Sequence, residues 1–347
     1  MMSEGYSLFC MGNPLLDIII PHGEELLEKY SLEPNGAIRV EDDSPFYREL
    51  VDKYSEKVVY VAGGAAQNAA RGAAYILPPR SVVYTGSVGN DSFAEQLVAA
   101  NRIAGVDQVY HIAEGHRTGT CAVVVTGHNR SLVTYLGAAH HFNEAHLSSP
   151  TVAAIINSAK VYYVGGFFLS HGIESALELA KKACAAGKPF VLNLSAPFIP
   201  ERYTTELQSL MPYVDILVGN EAEAEAYASA TGLADKTDLA AVARAIASLP
   251  KSNPARPRTA IITHGPKATT VVSAAGLDST RVFPVAPLSD AEIVDTNGAG
   301  DAFAGGLLAG LVLGKSIEEC VEMGHKMGSM CVQQVGAQYK WPKVQIL

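Results

Sequence analysis

From residue 151 onward, short apolar runs alternate with helical stretches, and this rhythm restricts the chain to few folds. Residues 161–164 form an apolar run closed by Gly165-Gly166, and 174–186 carry helical periodicity ending at Gly187. Strand-like runs follow at 190–194 and 215–218, then a helix from Glu221, then a strand over 260–263. Strands of this kind joined by amphipathic helices build βαβ units around a mostly parallel sheet covered on both faces. The earlier part of the chain has a different texture. Strand patterns over 7–11, 17–20, 37–40, 121–125 and 132–136 are interleaved with helices over 67–76 and 93–104. The extra short strands do not fit the βαβ rhythm and are expected to form a small second sheet used as a lid. No repeat, low-complexity tract or long Pro/Gly-rich linker interrupts the chain.

Apolar residues make up 48% of the 347 and charged residues 18%, enough for a large core and far from a disordered composition. A net charge of -9, with no long Lys/Arg run, lacks the electrostatic footprint of a nucleic-acid binder. Any phosphate must therefore be handled at one local site. Cys10, Cys121, Cys184, Cys320 and Cys331 are scattered without C-x-x-C spacing, which fits reduced thiols rather than a disulfide framework or a zinc site. The N-terminus lacks a basic signal-peptide region, and no apolar stretch approaches the ~20 residues of a membrane span. A soluble cytoplasmic protein is expected, with the nucleus left open and with neither nucleic acid nor membrane as partner.

The most informative motif is Asp295-Thr296-Asn297-Gly298-Ala299-Gly300-Asp301, set between apolar Ile293-Val294 and a helix over 304–313. A strand, a glycine turn and a helix start leave free backbone N–H groups pointing into the turn, where the helix dipole also favours an anion. Gly298 and Gly300 let the backbone approach that anion closely. Asp301 has two readings. A carboxylate beside an anion cradle is repelled unless it has work to do, such as taking a proton from an attacking hydroxyl. Alternatively, it is a first-turn aspartate favoured by the dipole. The turn alone leaves both open.

Two motifs are decoys. Residues 309–316 approximate a P-loop, but the first required glycine is Ala309; Gly314 is better read as ending one helix and Ser316 with Glu319 as a capping box starting the next. His140, His141 and His146 have no carboxylate-rich partner motif and read as solvated or lid histidines rather than a metal site.

The segment from Asp295 to Asp301 resembles the second signature of the ribokinase-like (PfkB-type) carbohydrate kinases. Gly63-Gly64-Ala65-Ala66-Gln67-Asn68 resembles their first signature, and Asn220-Glu221-Ala222-Glu223 their N-x-x-E motif. Within the family, Met11-Gly12-Asn13-Pro14-Leu15-Leu16-Asp17, Asn129-Arg130-Ser131-Leu132, Gly166-Phe167-Phe168-Leu169 and Asn193-Leu194-Ser195-Ala196-Pro197-Phe198 are similar to the branch that phosphorylates adenosine. The similarity runs from about residue 8 to about 340. It implies a three-layer α/β sandwich with a β-sheet lid, one catalytic unit over 1–347. The lid strands would come from about 12–40 and 118–142, the larger α/β part from about 55–117 and 143–347.

The resemblance also implies roles. Asp301 would be the general base, the Gly298, Ala299 and Gly300 turn the anion hole, and Arg130 a lid cation reaching the transferred phosphate. Without a ligand, Arg130 is equally a surface charge. Asp17 would accept hydrogen bonds from two ribose hydroxyls, helped by Gly63, Gly64 and Asn68, since a carboxylate is a double acceptor facing two donors. Asn13 and Asn297 would also touch substrate. Phe168 would stack on the purine, with Leu16, Ile38, Cys121 and Leu136 as apolar walls, although core packing is a competing account of Phe167 and Phe168. ATP would lie against Asn193, Thr263, Gly265, Asn297 and His325. Asn220 and Glu223 would hold Mg²⁺ through waters, as suits a cation that keeps its hydration; Glu221, Glu223 and Glu225 also read as the solvated first turn of a helix. The family pattern often has a small hydroxyl residue after the glycine pair, where this chain has Ala65 and Ala66. The implied reaction is transfer of the ATP γ-phosphoryl group to the adenosine 5′-hydroxyl by a monomer. The alternatives are another nucleoside or a sugar as acceptor, or an inactive nucleoside-binding protein.

Overall fold

The computed structural model describes residues 5–346 apart from 22, 35, 42–43, 55–57, 128 and 278. In chain order the strands are β1 (Leu8–Met11), β2 (Leu15–Ile20), β3 (Ala37–Arg39), β4 (Val59–Gly63), β5 (Val82–Thr85), β6 (Ser87–Val88), β7 (Val106–Gln108), β8 (His111–Ile112), β9 (Gly119–Thr126), β10 (Asn129–Tyr135), β11 (Val161–Gly165), β12 (Phe190–Asn193), β13 (Ile216–Asn220), β14 (Thr259–Thr263), β15 (Thr269–Ser273) and β16 (Arg281–Phe283). The helices are α1 (Glu24–Tyr30), α2 (Pro45–Tyr54), α3 (Ala65–Ile76), α4 (Ser92–Ala104), α5 (Pro150–Ser158), α6 (Ile173–Ala185), α7 (Phe198–Arg202), α8 (Thr204–Leu210), α9 (Glu221–Thr231), α10 (Leu239–Ser248), α11 (Ala299–Val312) and α12 (Ile317–Cys331).

Nine strands form the larger sheet in the order β16-β15-β14-β13-β12-β11-β1-β5-β7. It is parallel from β14 to β7 and antiparallel at the β15–β16 edge. The central strand β1 shows why these runs are continuously apolar. Leu8 and Cys10 point into a cluster with α3, α11 and α12, whereas Phe9 and Met11 point into a cluster with α5, α6 and α10. Successive side chains of a strand leave opposite faces, so a sheet covered by helices on both sides needs apolar residues at every position. These layers form the three-layer α/β sandwich that the resemblance implies.

The second sheet has five strands in the order β3-β10-β9-β2-β4, and β6 and β8 pair separately. Here only one face is fully covered. Ile18 and Ile20 pack with Leu26 of α1 and with Phe46 and Leu50 of α2, while Leu16 and Ala62 pack with Ala94 and Leu97 of α4. Strand β4 pairs antiparallel with β2 in this smaller sheet, so residues 59–63, expected in the larger part, lie in the lid sheet. The apolar run at 59–62 is too short to reveal its partner. Gly314 ends α11 with φ 69°, and Ser316 and Glu319 form the capping box of α12, so the P-loop-like stretch is a helix-to-helix turn. No helix among the described residues is long and apolar enough to cross a membrane.

Candidate active site

The glycine turn is held from below by Asp295. One carboxylate oxygen accepts the Asn297 N–H at 2.9 Å and the other accepts the Gly336 N–H at 2.9 Å. Gly298 follows with φ 79° and no side-chain cap on α11. A Cβ on Gly298 would sit 2.7 Å from the Ala337 Cβ, so only glycine fits this left-handed position. The first-turn N–H groups of α11, a helix of 14 residues, are therefore not consumed by a capping side chain. Together with the dipole they make an anion cradle. A Cβ on Gly300 would meet nothing within 4 Å, so the turn is open on that side.

Asp301 lies in this first turn. Its Oδ2 accepts a 2.9 Å hydrogen bond from Asn68 Nδ2, and Asn68 Oδ1 accepts from Arg71 Nη2 at 2.6 Å. The pairing depends on how closely α3 and α11 approach: a Cβ on Gly305 would lie 2.8 Å from both the Ala69 carbonyl and the Gly72 Cα. Burial raises the Asp301 pKa to about 7, against the lowering effects of the Asn68 hydrogen bond and the Arg71 charge.

Asp17 sits on the uncovered face of the smaller sheet. It pairs with Cys121 across β9, and Cys121 pairs with Thr134 across β10. The Gly63 backbone is packed directly on its carboxylate, because a Cβ there would be 2.0 Å from Asp17 Oδ1. Gly64, at φ 85°, presses against the Asn13 carbonyl, which an added Cβ would meet at 2.3 Å. Burial raises the Asp17 pKa to about 7; Arg71 lowers it and Asp301 raises it further. Asn13 Nδ2 donates to the Phe167 carbonyl at 3.4 Å, and Asn13 Oδ1 lies 2.9 Å from His171 Nε2. The His171 ring meets the fully buried Phe168 edge-on at 5.1 Å.

Two expected walls are displaced by strand parity. Leu16 alternates with Asp17 and faces the α4 cluster on the opposite side of the sheet. The residue of β2 that shares the Asp17 face is Leu15. Ile38 pairs with Val133, and Val133 with Ala122, which puts it on the covered face as well, 46% exposed at the edge strand. Cys121 remains on the Asp17 face. Leu136 is buried just beyond β10, its carbonyl against Gly119.

The remaining polar candidates line the carboxyl ends of adjacent parallel strands, where open α/β sheets place their ligands. Asn193 ends β12, Asn220 ends β13 and Thr263 ends β14, with Asn220 and Thr263 in register. Asn220 and Glu223 bind each other as a capping box at 2.8 and 3.0 Å. Burial raises the Glu223 pKa to about 7, and the Asp301 charge adds to the shift. Thr263 Oγ1 donates to the Gly219 carbonyl at 3.4 Å, and Gly265 turns the loop beyond it with φ 52°. His325 Nε2 lies 2.7 Å from Thr269 Oγ1, its ring tilted on Phe303 at 5.6 Å. Among the described residues no cluster of three or more His, Cys, Asp or Glu is arranged to hold a metal. His141 stacks on His116 at 3.6 Å, His140 meets His171 at 5.1 Å, and His146 Nε2 lies 2.8 Å from the Val109 carbonyl.

Arg130 of β10 crosses from the smaller sheet to the turn, its Nε 3.4 Å from Asp295 Oδ1. Arg71 was not singled out from the sequence, and Asp295 was read there only as the first residue of the motif, with no role of its own. The one signal for Arg71 was a lone cation in the alanine-rich run after Asn68.

A three-layer α/β sandwich with an anion turn, a carboxylate in that turn and a β-sheet folded over the strand ends defines a small-molecule kinase of ribokinase type. The pfkB family carbohydrate kinase pattern matches residues 28–344, and the chain belongs to that family. Adenosine kinases are among its relatives there. The chain is 57% identical to adenosine kinase of Schizophyllum commune over 345 residues, covering 99% of this chain and 100% of that protein. It is 45% identical to adenosine kinase of Saccharomyces cerevisiae, covering 97% and 98%. Among solved structures, Anopheles gambiae adenosine kinase in complex with P1,P4-di(adenosine-5) tetraphosphate superposes with a TM-score of 0.90 at 43% identity, covering 95% and 96% of the two chains. Schistosoma mansoni adenosine kinase in complex with adenosine and AMP gives a TM-score of 0.88 at 35% identity, covering 98% of each.

Proposed function

We propose that this chain is an adenosine kinase, transferring the γ-phosphoryl group of ATP to the 5′-hydroxyl of adenosine to give AMP and ADP, a purine-salvage reaction. The observation that carries the mechanism is the Asp301 carboxylate, in the first turn of an uncapped helix and hydrogen-bonded by Asn68 at 2.9 Å. In this reading Asp17 accepts the ribose hydroxyls against the Gly63-Gly64 backbone, with Asn13 beside it. Phe168 and Cys121, joined by Leu15, provide the apolar surroundings of the base. Asp301, with a pKa near 7, takes the 5′-hydroxyl proton as the oxygen attacks. The N–H groups of Gly298, Ala299 and Gly300 hold the oxygens of the phosphoryl group in flight, and Arg130 adds positive charge from the lid.

On the donor side, Asn193, Thr263, Gly265, Asn297 and His325 line the ATP. Mg²⁺ would neutralise charge on the β- and γ-phosphate oxygens. Asn220 and Glu223 offer amide and carboxylate oxygens, hard donors that would hold that ion through its waters. A cation that keeps most of its water and takes the rest of its ligands from phosphate needs no more. The same reading extends to a monomer, as the family resemblance implies, acting in the cytoplasm with the nucleus left open.

The test is a coupled ADP-release assay with ATP and Mg²⁺, offering adenosine, inosine, guanosine, ribose and fructose in parallel. Turnover dominated by adenosine, with a product phosphorylated at the 5′ position, is expected. Turnover with a sugar alone would overturn the acceptor, and silence with every acceptor from folded protein would overturn the kinase reading.

A further inference from the structure

Arg71 is a cation placed where cations are rare. It is 5% exposed, within an α3 otherwise rich in alanine. Burying a guanidinium is costly unless its donors are satisfied. Among the described residues Arg71 forms no ion pair. Instead Nη2 donates to the Ala62 carbonyl at 2.6 Å, to Asn68 Oδ1 at 2.6 Å and, more weakly, to the Ala337 carbonyl at 3.4 Å, while Nε is buried without a hydrogen-bond partner among the described residues. Ala62 is the residue before the Gly63-Gly64 pair that packs on Asp17, and Ala337 is the one packed on Gly298. One side chain thus ties together the backbones that build the two halves of the candidate site.

The contact with Asn68 has a direction. A guanidinium only donates, so the Asn68 carboxamide must turn its oxygen towards Arg71. Its NH₂ is then left facing Asp301, whose ionised carboxylate only accepts. If Arg71 is lost, the carboxamide has no reason to prefer this orientation. Turned over, it would present its oxygen to Asp301, an arrangement satisfied only when Asp301 is protonated and unable to act as a base. We propose that Arg71 is the positioning residue of the phosphoryl transfer: it fixes the orientation of Asn68 and thereby holds Asp301 ionised and aimed. This rests on the reading of Asp301 as the general base.

The Asp301 charge in turn raises the pKa values of several other groups. Asp17 comes from β2, Glu223 from α9, Tyr163 from β11, Cys331 from α12 and Tyr339 from the C-terminal segment. All are neutral or negative, so Arg71 is the cation among them, and its charge lowers the Asp301 pKa that burial raises. Because the base works deprotonated, activity is present above that pKa and is lost as pH falls through it. Removing Arg71 raises the pKa further and moves the acid limb upward.

The experiment compares wild type, Arg71→Lys and Arg71→Met. The Asp301 carboxyl carbon is followed by ¹³C NMR, identified by its loss in Asp301→Asn, and kcat is measured against pH. In Arg71→Met the carboxyl midpoint and the acid limb of kcat should both move up by about one pH unit or more, and plateau kcat should fall about tenfold, less than the ~10²-fold or more of losing a general base because Asp301 itself remains. Arg71→Lys keeps the charge, so its midpoint should stay near that of wild type. A lysine cannot reproduce the guanidinium contacts, so its kcat should still fall several-fold. Unmoved midpoints in Arg71→Met, even with a lower Tm, would reduce Arg71 to a structural residue. Full kcat in Arg71→Lys would overturn the positioning role. The carboxyl titration needs no substrate, so a protein that failed to phosphorylate adenosine would refute the proposed function and leave this test decisive.

Discussion

A base that takes a proton near neutrality must be ionised often enough to accept it and basic enough to keep it. Asp301, with a pKa raised to about 7, satisfies both conditions. The balance comes from opposing contributions: burial pushes the carboxyl up, while the Asn68 amide and the Arg71 charge pull it down. Asp17 is raised to about 7 by burial too, yet its position, with the Gly63 backbone packed on its carboxylate, suits binding rather than proton transfer. The two carboxylates should separate in kinetics. Asp301→Asn keeps the shape and an acceptor oxygen but removes the base, so kcat should fall by at least ~10²-fold while adenosine binding changes little. Steady-state kinetics together with calorimetric titration of adenosine measure the two effects. A variant with weakened binding and unchanged kcat would make Asp301 a binding residue.

At the scale of elements, the site depends on a helix pair and on strand parity. Helices α3 and α11 carry Asn68 and Asp301, and they meet at Gly72 and Gly305 without side chains between them. Gly305→Ala would place a methyl group 2.8 Å from the Ala69 carbonyl and the Gly72 Cα, all rigid backbone. The helices must then separate by several tenths of an ångström, enough to lengthen the 2.9 Å Asn68–Asp301 bond. Overpacking of this kind costs about 1–3 kcal/mol. The expected outcome is a lower Tm and a kcat at least several-fold reduced, although every residue that touches substrate is intact; unchanged kinetics would show that the pair tolerates separation. The same scale decides what could be read from the chain beforehand. The glycine turn before α11, the Gly63-Gly64 pair with Asn68 and the Asn220–Glu223 motif were legible because each lies within a few consecutive residues. Leu16 and Ile38 were misplaced because in the run Leu15-Leu16-Asp17 both leucines are apolar, and only the pairing with β9 and β4 fixes which one faces Asp17. Arg71, the contacts of Asp295 and the position of β4 in the smaller sheet were not legible because their partners lie far away in sequence: Arg71 and Ala337 meet only through the fold, as do Asp295 and Gly336.

For the whole molecule, the candidate site lies in a seam between two sheets, spanned by Arg130 and Asp295, and the seam collects negative charge. Asp17, Glu223 and Asp301 all have pKa values raised to about 7 by burial, and each is raised further by, or itself raises, another of the three. Unfolded carboxyls titrate near ~4. A group whose folded pKa exceeds its unfolded value helps folding below the unfolded pKa, and that contribution is lost as pH rises through the folded one. These three groups therefore oppose folding progressively between about pH 4 and pH 7, each by up to a few kcal/mol. Other carboxylates act in the reverse sense; Glu49, for example, is lowered to about 2 mainly by its bond to Lys29. The isolated effect is thus best read as a difference. Asp301→Asn should be more stable than wild type at pH 8, with the gap closing as pH falls towards 4.5, where wild-type Asp301 is protonated in the native state. Urea denaturation at a series of pH values measures this directly. A gap independent of pH would mean that Asp301 does not titrate between folded and unfolded states in this window. A gap that opens with pH would show stability given up to keep a base poised in the seam, in a variant that can no longer use it.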